Sequence, residues 1–433
     1  MTGTDPAGLT IGVDIGGTKI VAGVVDESGT VLALARRDTP AQDVDATERS
    51  IVDAVEELRA AYEVDAVGIG AAGWIDASRS TVLFAPNLAW RQEPLRDYLE
   101  RAIGLPVVVE NDANAGAWGE FRFGAAAGVD DSVLVTFGTG IGGGIVIGGQ
   151  LYRGSFGIAG EFGHVRVERG GRLCGCGNRG CWEQYASGRA LVRAAREALG
   201  TPTEGDAPPV AGGAPPPVAP PPVAGGAAPP IPPPPVAGGG PPPVPPPPVE
   251  EAAQRSSRNQ RHQWTARGFD SAPAQPPVEQ TPAQPLGRER PAQPPGSKPL
   301  AQPPGSKPLA QPPGARRTDS VLLRLAGGDP AAITGPLVTE AALAGDPVAV
   351  AAFAEVGRWV GEGVADLAAA LDPAVVVIGG GLSEAGDLLL VPAQEAFRRS
   401  LSGRGHRPEA DIRLAKLGNR AGMVGAADLA RLR

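Results

Sequence analysis

The three cysteines of this 433-residue chain fall within eight positions, Cys174-Gly-Cys176-Gly-Asn-Arg-Gly-Cys181, and His164 stands ten residues before the first of them. Three thiolates and one imidazole match the ligand set and softness of structural Zn²⁺, and glycines at 175, 177 and 180 let a short loop turn tightly enough for the sulfurs to converge. The spacing predicts one tetrahedral metal site with His164, Cys174, Cys176 and Cys181 as ligands. A disulfide fits worse, because Cys174 and Cys176 are too close for an easy bridge and three is an odd number. A loop of free thiols is the remaining alternative.

A net charge of -8, few aromatic residues and the absence of an apolar run of about 18 residues predict a soluble chain with no membrane span. Met1 to Leu9 contains no Lys or Arg and no apolar stretch, so no targeting signal is expected and the cytoplasm is the expected compartment. The acidic balance, and the lack of a helix-turn-helix before the first strand at Leu9, argue against nucleic acid as a partner.

Composition changes abruptly near Gly200 and changes back near Asp319; 36 of the 47 prolines lie between Pro202 and Pro313. Val-Ala-Gly-Gly recurs at 210, 223 and 236, and Ala-Gln-Pro recurs every nine residues from Ala274 through Ala310. Neither period suits a helix or a strand. Such sequence buries too little apolar surface to offset its ordering entropy, so 201–318 is expected to be a disordered Pro/Gly/Ala-rich insert with polyproline II stretches. A tolerated spacer and a Pro-rich ligand for SH3-like or WW-like grooves are its two readings. The basic segment from Arg255 to Asp270 has no assignment.

What remains is long enough for two domains, and both open alike. An apolar strand, Leu9-Thr-Ile-Gly-Val-Asp14-Ile, runs into Gly16-Gly17-Thr18-Lys19 and returns as a second strand over 20–25. The strand 133–137 likewise meets Gly138-Thr139-Gly140 and returns over 145–147. Glycines let backbone N–H groups approach an anion, and the hydroxyls of Thr18 and Thr139 add donors, so the pair points to two phosphate grips. Either hairpin alone reads more readily as part of a plain antiparallel sheet.

Asp14-Ile-Gly-Gly-Thr-Lys19, Glu110-Asn-Asp112-Ala-Asn114, Gly160-Glu161-Phe-Gly-His164 and the cysteine cluster together resemble the ROK family of sugar kinases and related repressors. The resemblance runs from Leu9 to about Gly200 and again from about Ser320 to Arg433. It implies an α/β, actin-like (ribonuclease H-like) fold of two domains around a central cleft. The expected boundaries are 9–120 for the first domain, and 121–200 with 319–433 for the second, which carries the zinc loop.

Within that frame Asp112, at the end of the strand over 105–110, resembles the family's general base; its alternative role is to cap the helix beginning at Ala113. Asn87, Asn111, Glu161, His164 and Glu183 match the sugar-contacting positions, with one nitrogen of His164 on the metal and the other facing the sugar. Asp14 is expected to hold Mg²⁺ through water, and Lys19 to meet phosphate or lie in solvent. The turn Gly379-Gly380-Gly381 lies near the adenosine by the same resemblance, and Ser383 looks like the start of a helix. A second long helix is expected from Asp346-Pro347 to about Leu371.

The resemblance implies ATP-dependent phosphorylation of a hexose. Glucose is the first choice, from the likeness of Pro86-Asn-Leu-Ala-Trp90 and 403–408 to actinobacterial members; N-acetylglucosamine, N-acetylmannosamine and fructose are the alternatives. The cysteine cluster favours ATP over polyphosphate as donor, and a homodimer or tetramer is expected. A sugar-responsive transcription regulator is the reading from another class, disfavoured by the retained Asp112, by both hairpins and by only about eight residues preceding the first strand. A scaffold whose Pro-rich arm recruits partners is a third.

Overall fold

The computed structural model describes residues 8–200 and 320–433, which belong to one compact unit. The insert expected at 201–318, with its polyproline II stretches and basic segment, lies outside the described residues.

Two five-stranded sheets carry the architecture. In the first, β1 (Thr10–Ile15), β2 (Lys19–Val25), β3 (Val31–Asp38), β4 (Ala66–Ala71) and β8 (Val107–Asn111) stand in the order β3-β2-β1-β4-β8. The second holds β9 (Ser132–Phe137), β10 (Ile141–Ile147), β11 (Gln150–Tyr152), β12 (Val375–Gly379) and β13 (Asp411–Leu414), in the order β11-β10-β9-β12-β13. The directions repeat as well. β1 pairs antiparallel with β2 and parallel with β4, just as β9 pairs antiparallel with β10 and parallel with β12. The duplicated opening read from the sequence is thus a duplicated sheet, with one glycine hairpin at the same corner of each.

The central parallel strands are buried on both faces, which is why Ala-Val-Gly-Ile-Gly-Ala in β4 and Val-Val-Val-Ile-Gly in β12 show no polar alternation. A third, small sheet, β5 (Trp74–Ile75), β6 (Val82–Phe84) and β7 (Arg91–Glu93), extends the first half. The helices are α1 (Val44–Arg59), α2 (Leu95–Ile103), α3 (Asp112–Phe123), α4 (Glu183–Ala186), α5 (Gly188–Ala198), α6 (Val321–Leu325), α7 (Gly335–Leu343), α8 (Pro347–Leu371), α9 (Asp387–Ser400) and α10 (Ala421–Arg431). Helix α8 spans the stretch expected of it, and among the described residues no single helix is long and apolar enough to cross a membrane. Ser383 lies in a short 3₁₀ turn, and the helix expected there begins at Asp387, beyond Gly386 with φ 58°. The buried Asp346 joins the chain across the insert. Its Oδ1 accepts from Val348 N and Ala349 N at the start of α8, while its Oδ2 accepts from the Ser320 hydroxyl at 2.8 Å and from Leu322 N.

The last helix, within the 319–433 stretch expected to belong to the second domain, reaches across to the first sheet. Helix α10 packs on the first sheet, so closely that a Cβ at Gly12 would lie 1.8 Å from Met423 O and one at Gly68 1.8 Å from Ala426 O. It also crosses α3, where a Cβ on Gly425 would lie 1.8 Å from Ala115 O. Helix α3 in turn touches the second sheet, with Ala117 beneath Gly144. These two helices stand between the sheets, and the first of them begins at Asp112.

Candidate active site

Strand β8 delivers its last residues to the carboxyl edge of the first sheet, where ligands of such sheets gather. Asn111, extended at φ -63° and ψ 143°, caps α3 by accepting from Asn114 N at 3.0 Å. Its Nδ2 donates to Gly73 O and to Asp112 Oδ1, both at 3.0 Å. The cap is therefore Asn111, and Asp112 is the first residue of the helix, its Oδ1 also accepting from Ala113 N at 2.9 Å. Burial, reinforced by the negative charges of Asp14 and Glu161, pushes the Asp112 carboxyl up to about 7. Asp14, at the end of β1, is raised to about 6 by burial, against the opposing pull of Lys19.

The other sequence-predicted residues approach from separate elements. Asn87 is exposed and faces the first hairpin, with its Cβ 3.1 Å from where a Gly17 Cβ would stand. That hairpin is closed by Gly16 N donating to Lys19 O at 3.0 Å, and Thr18 and Lys19 are exposed on it. Glu161 precedes the short turn Phe162–His164, and its Oε2 lies 3.8 Å from His164 Nε2. Burial raises Glu161 above the usual carboxylate range. Glu183, first residue of α4, accepts from the Cys174 thiol at 3.0 Å through Oε1, and its Oε2 lies 2.6 Å from where a Gly140 Cβ would be. A side chain at 140 would displace that carboxylate.

The ligand atoms of His164, Cys174, Cys176 and Cys181 all lie within 4.8 Å of one another. Cys174 Sγ is 3.7 Å from His164 Nδ1, and Cys176 Sγ is 3.6 Å from Cys181 Sγ. Tetrahedral bonds of about 2.3 Å put ligand atoms about 3.8 Å apart, so the four residues fit one metal ion. Nδ1 of His164 turns to the cysteines and Nε2 to Glu161. The cluster is anchored by Trp182, buried against α8 with its Nε1 donating to Trp359 O at 2.9 Å.

Beside the second hairpin opens a cavity of about 1380 Å³, lined by Gly138, Thr139, Gly188, Arg189, Gly335 and Gly381 among others. Gly140 lies instead under Glu183. Gly380, with φ 80°, packs on β9, where a Cβ would come 2.6 Å from Phe137 O. Gly16, Gly17, Thr18 and Lys19 are not part of the cavity lining; Gly17 of that hairpin stands opposite Asn87. Helices α5 and α7, absent from the sequence reading of the site, form the far wall. Arg196 of α5 is held there by Ala331 O and Ile333 O at 2.7 and 2.9 Å.

The sequence profile of the ROK family matches residues 10–208 and 318–433. A glucokinase of Streptomyces coelicolor is 41% identical over 425 residues, covering 98% of this chain and 98% of its own. Among solved structures, a ROK family glucokinase from Streptomyces griseus in complex with glucose and AMPPNP is 41% identical, covers 98% of this chain and 100% of its own, and superposes with a TM-score of 0.66. A ROK hexokinase from Thermus thermophilus is 28% identical, with 98% of each chain covered and a TM-score of 0.61.

Proposed function

The chain belongs to the ROK family, and from that membership we propose that it transfers the γ-phosphoryl group of ATP to the 6-hydroxyl of glucose. One observation carries the reading: a carboxyl at the start of α3, raised to about 7 between Asp14 and Glu161, in a fold whose second hairpin edges a cavity with room for a nucleotide. The similar glucokinases support the choice of sugar and donor.

In this mechanism the glucose O6–H gives its proton to Asp112 as O6 attacks the γ-phosphorus. The bond to the β,γ-bridging oxygen breaks, ADP departs, and Asp112 later returns the proton to solvent. A base near pKa 7 is half ionised at neutral pH and matched to moving a proton there. Asn111 fixes the Asp112 carboxyl from one side, while Asn87, Glu161, His164 and Glu183 offer the polar groups that distinguish sugar hydroxyls. Gly138 and Thr139 would cradle the phosphates and Gly381 would border the adenosine. The buried carboxylate of Asp14 faces another negative group and is relieved by a hard cation, so it suits Mg²⁺ held through water. Mg²⁺ would neutralise charge on the phosphates. Zn²⁺ suits the Cys₃His set, and would fix the His164 ring with Nε2 toward the sugar. A cytoplasmic homo-oligomer is the form this reading expects.

The test is ADP release with Mg-ATP against glucose, N-acetylglucosamine, N-acetylmannosamine and fructose. Turnover with glucose is expected to dominate. Turnover confined to an N-acetyl sugar would overturn the substrate, and sugar binding without turnover on any of the four would replace the kinase by a sensor.

A further inference from the structure

Arg153 follows β11 of the second sheet, yet every acceptor of its side chain belongs to the first half. Its Nε lies 3.0 Å from Glu110 Oε1 and 2.8 Å from Oε2, its NH1 donates to Ala77 O at 2.9 Å, and its NH2 donates to Asp76 O at 2.9 Å. The side chain is only 10% exposed and Glu110 is buried, so the pair with Glu110 is largely shielded from water, while the bond to Ala77 O lies at the surface.

Glu110 is the residue through which that grip reaches the reacting carboxyl. It accepts from Asn111 N at 2.9 Å and from Asn114 Nδ2 at 3.1 Å, the two residues that bracket the first turn of α3. Asn111 then holds Asp112. The main chain of Arg153 works toward the same place from the other side. Arg153 O accepts from Ala159 N at 3.0 Å and closes the loop that ends at Glu161. Within that loop Gly157, at φ 85°, is pressed on the backbone of the small sheet, where a Cβ would lie 2.5 Å from Ile75 O. One residue therefore ties the second sheet by its side chain to Glu110 at the strand end that carries Asp112, and by its backbone to Ala159, two positions before Glu161.

We propose that Arg153 is a positioning residue for phosphoryl transfer, locking the two halves in the register that sets Asp112 against the sugar held by Glu161. This rests on the kinase reading above. Arg79 also pairs with Glu110, at 3.0 Å from Oε2, so loss of Arg153 leaves the buried carboxylate a partner while releasing the tie between the sheets.

The experiment compares wild type, Arg153→Met and Arg153→Lys by kcat, by KM for glucose and ATP, and by the folded fraction from thermal melts. Misplacing a reacting group by about an ångström costs up to about 100-fold. The expected result is a kcat for Arg153→Met reduced about 10- to 100-fold per folded molecule, with KM for ATP within about twofold because Arg153 is not in the cavity lining. Arg153→Lys, able to pair with Glu110 but not to span both carbonyls, is expected to recover part of that loss. A kcat for Arg153→Met within twofold of wild type, or a loss accounted for by unfolding, overturns the proposal and leaves the kinase reading intact. If Arg153→Met fails to fold, Arg153→Lys is judged by the same criteria. Absence of turnover in wild type itself overturns the kinase reading and this proposal with it.

Discussion

Asp112 is held in a place that costs the empty protein stability. Its carboxyl is raised to about 7 and that of Asp14 to about 6, chiefly by burial. Both are above their unfolded value, so the folded state binds more protons than the unfolded one between about pH 4 and 7. Their contribution to stability is fully present below pH 4 and is lost as pH rises through 6 and 7. Asp112→Asn keeps an acceptor for Ala113 N and Asn111 Nδ2, and should therefore stabilise the ligand-free protein at pH 8 by on the order of 2 kcal/mol, less than the full shift because the cleft is open to water. Melts of the two proteins at pH 5 and pH 8 check this, the difference being expected to be markedly larger at the higher pH. As the proposed base the same carboxyl must be ionised, so kcat/KM should fall as pH drops through about 7. A flat profile from pH 8 to 5.5 would remove Asp112 as the base. The motif that proposes Asp112 was legible in the sequence. Arg153 was not, because its partner Glu110 is 43 positions away and a single arginine after a strand carries no spacing signal.

At the scale of elements, the sequence disclosed what repeats and missed what is short or far away. The two strand–glycine–strand openings were readable because apolar runs stop at glycines in both, and they form the same corner of two equivalent sheets. The cysteine loop was readable from spacing. Strands β5 to β7, of two or three residues each, offer too few positions to show an alternation. Helix α7, which walls the cavity, begins beyond the low-complexity tract and bears no motif. The path of α10 back to the first sheet was hidden because glycines at 12 and 68 are ordinary in strands until a helix backbone is seen against them. The cysteine loop makes a prediction of its own. In the proposed kinase it carries a zinc ion and holds His164 and Glu183 on one side of the sugar, so chelating the metal should weaken glucose binding by about tenfold or more, the worth of one buried hydrogen bond, and leave ATP affinity within a few-fold. Calorimetric titration of each ligand before and after chelation measures it; equal weakening of both would make the loop a general fold support.

The described residues form two copies of one sheet plan joined by α3 and α10, and in the sequence 201–318 lies between α5 and α6. Every candidate site residue lies among residues 8–200 and 320–433, and the family match breaks over the same tract. Replacing 201–318 by a short Gly/Ser linker should leave kcat and KM within about twofold, since the closure entropy of a connecting segment changes only slowly with its length. A loss of activity beyond tenfold would make the segment part of the enzyme. The central claim, that Asp112 takes the proton in a cleft otherwise complete, is tested most directly by wild type and Asp112→Asn side by side. Glucose affinity is measured by calorimetry and ADP release with saturating glucose and Mg-ATP. The predicted result is glucose binding within a few-fold of wild type and turnover lowered by about 100-fold or more. Turnover within a few-fold of wild type, with glucose bound as tightly, would contradict it.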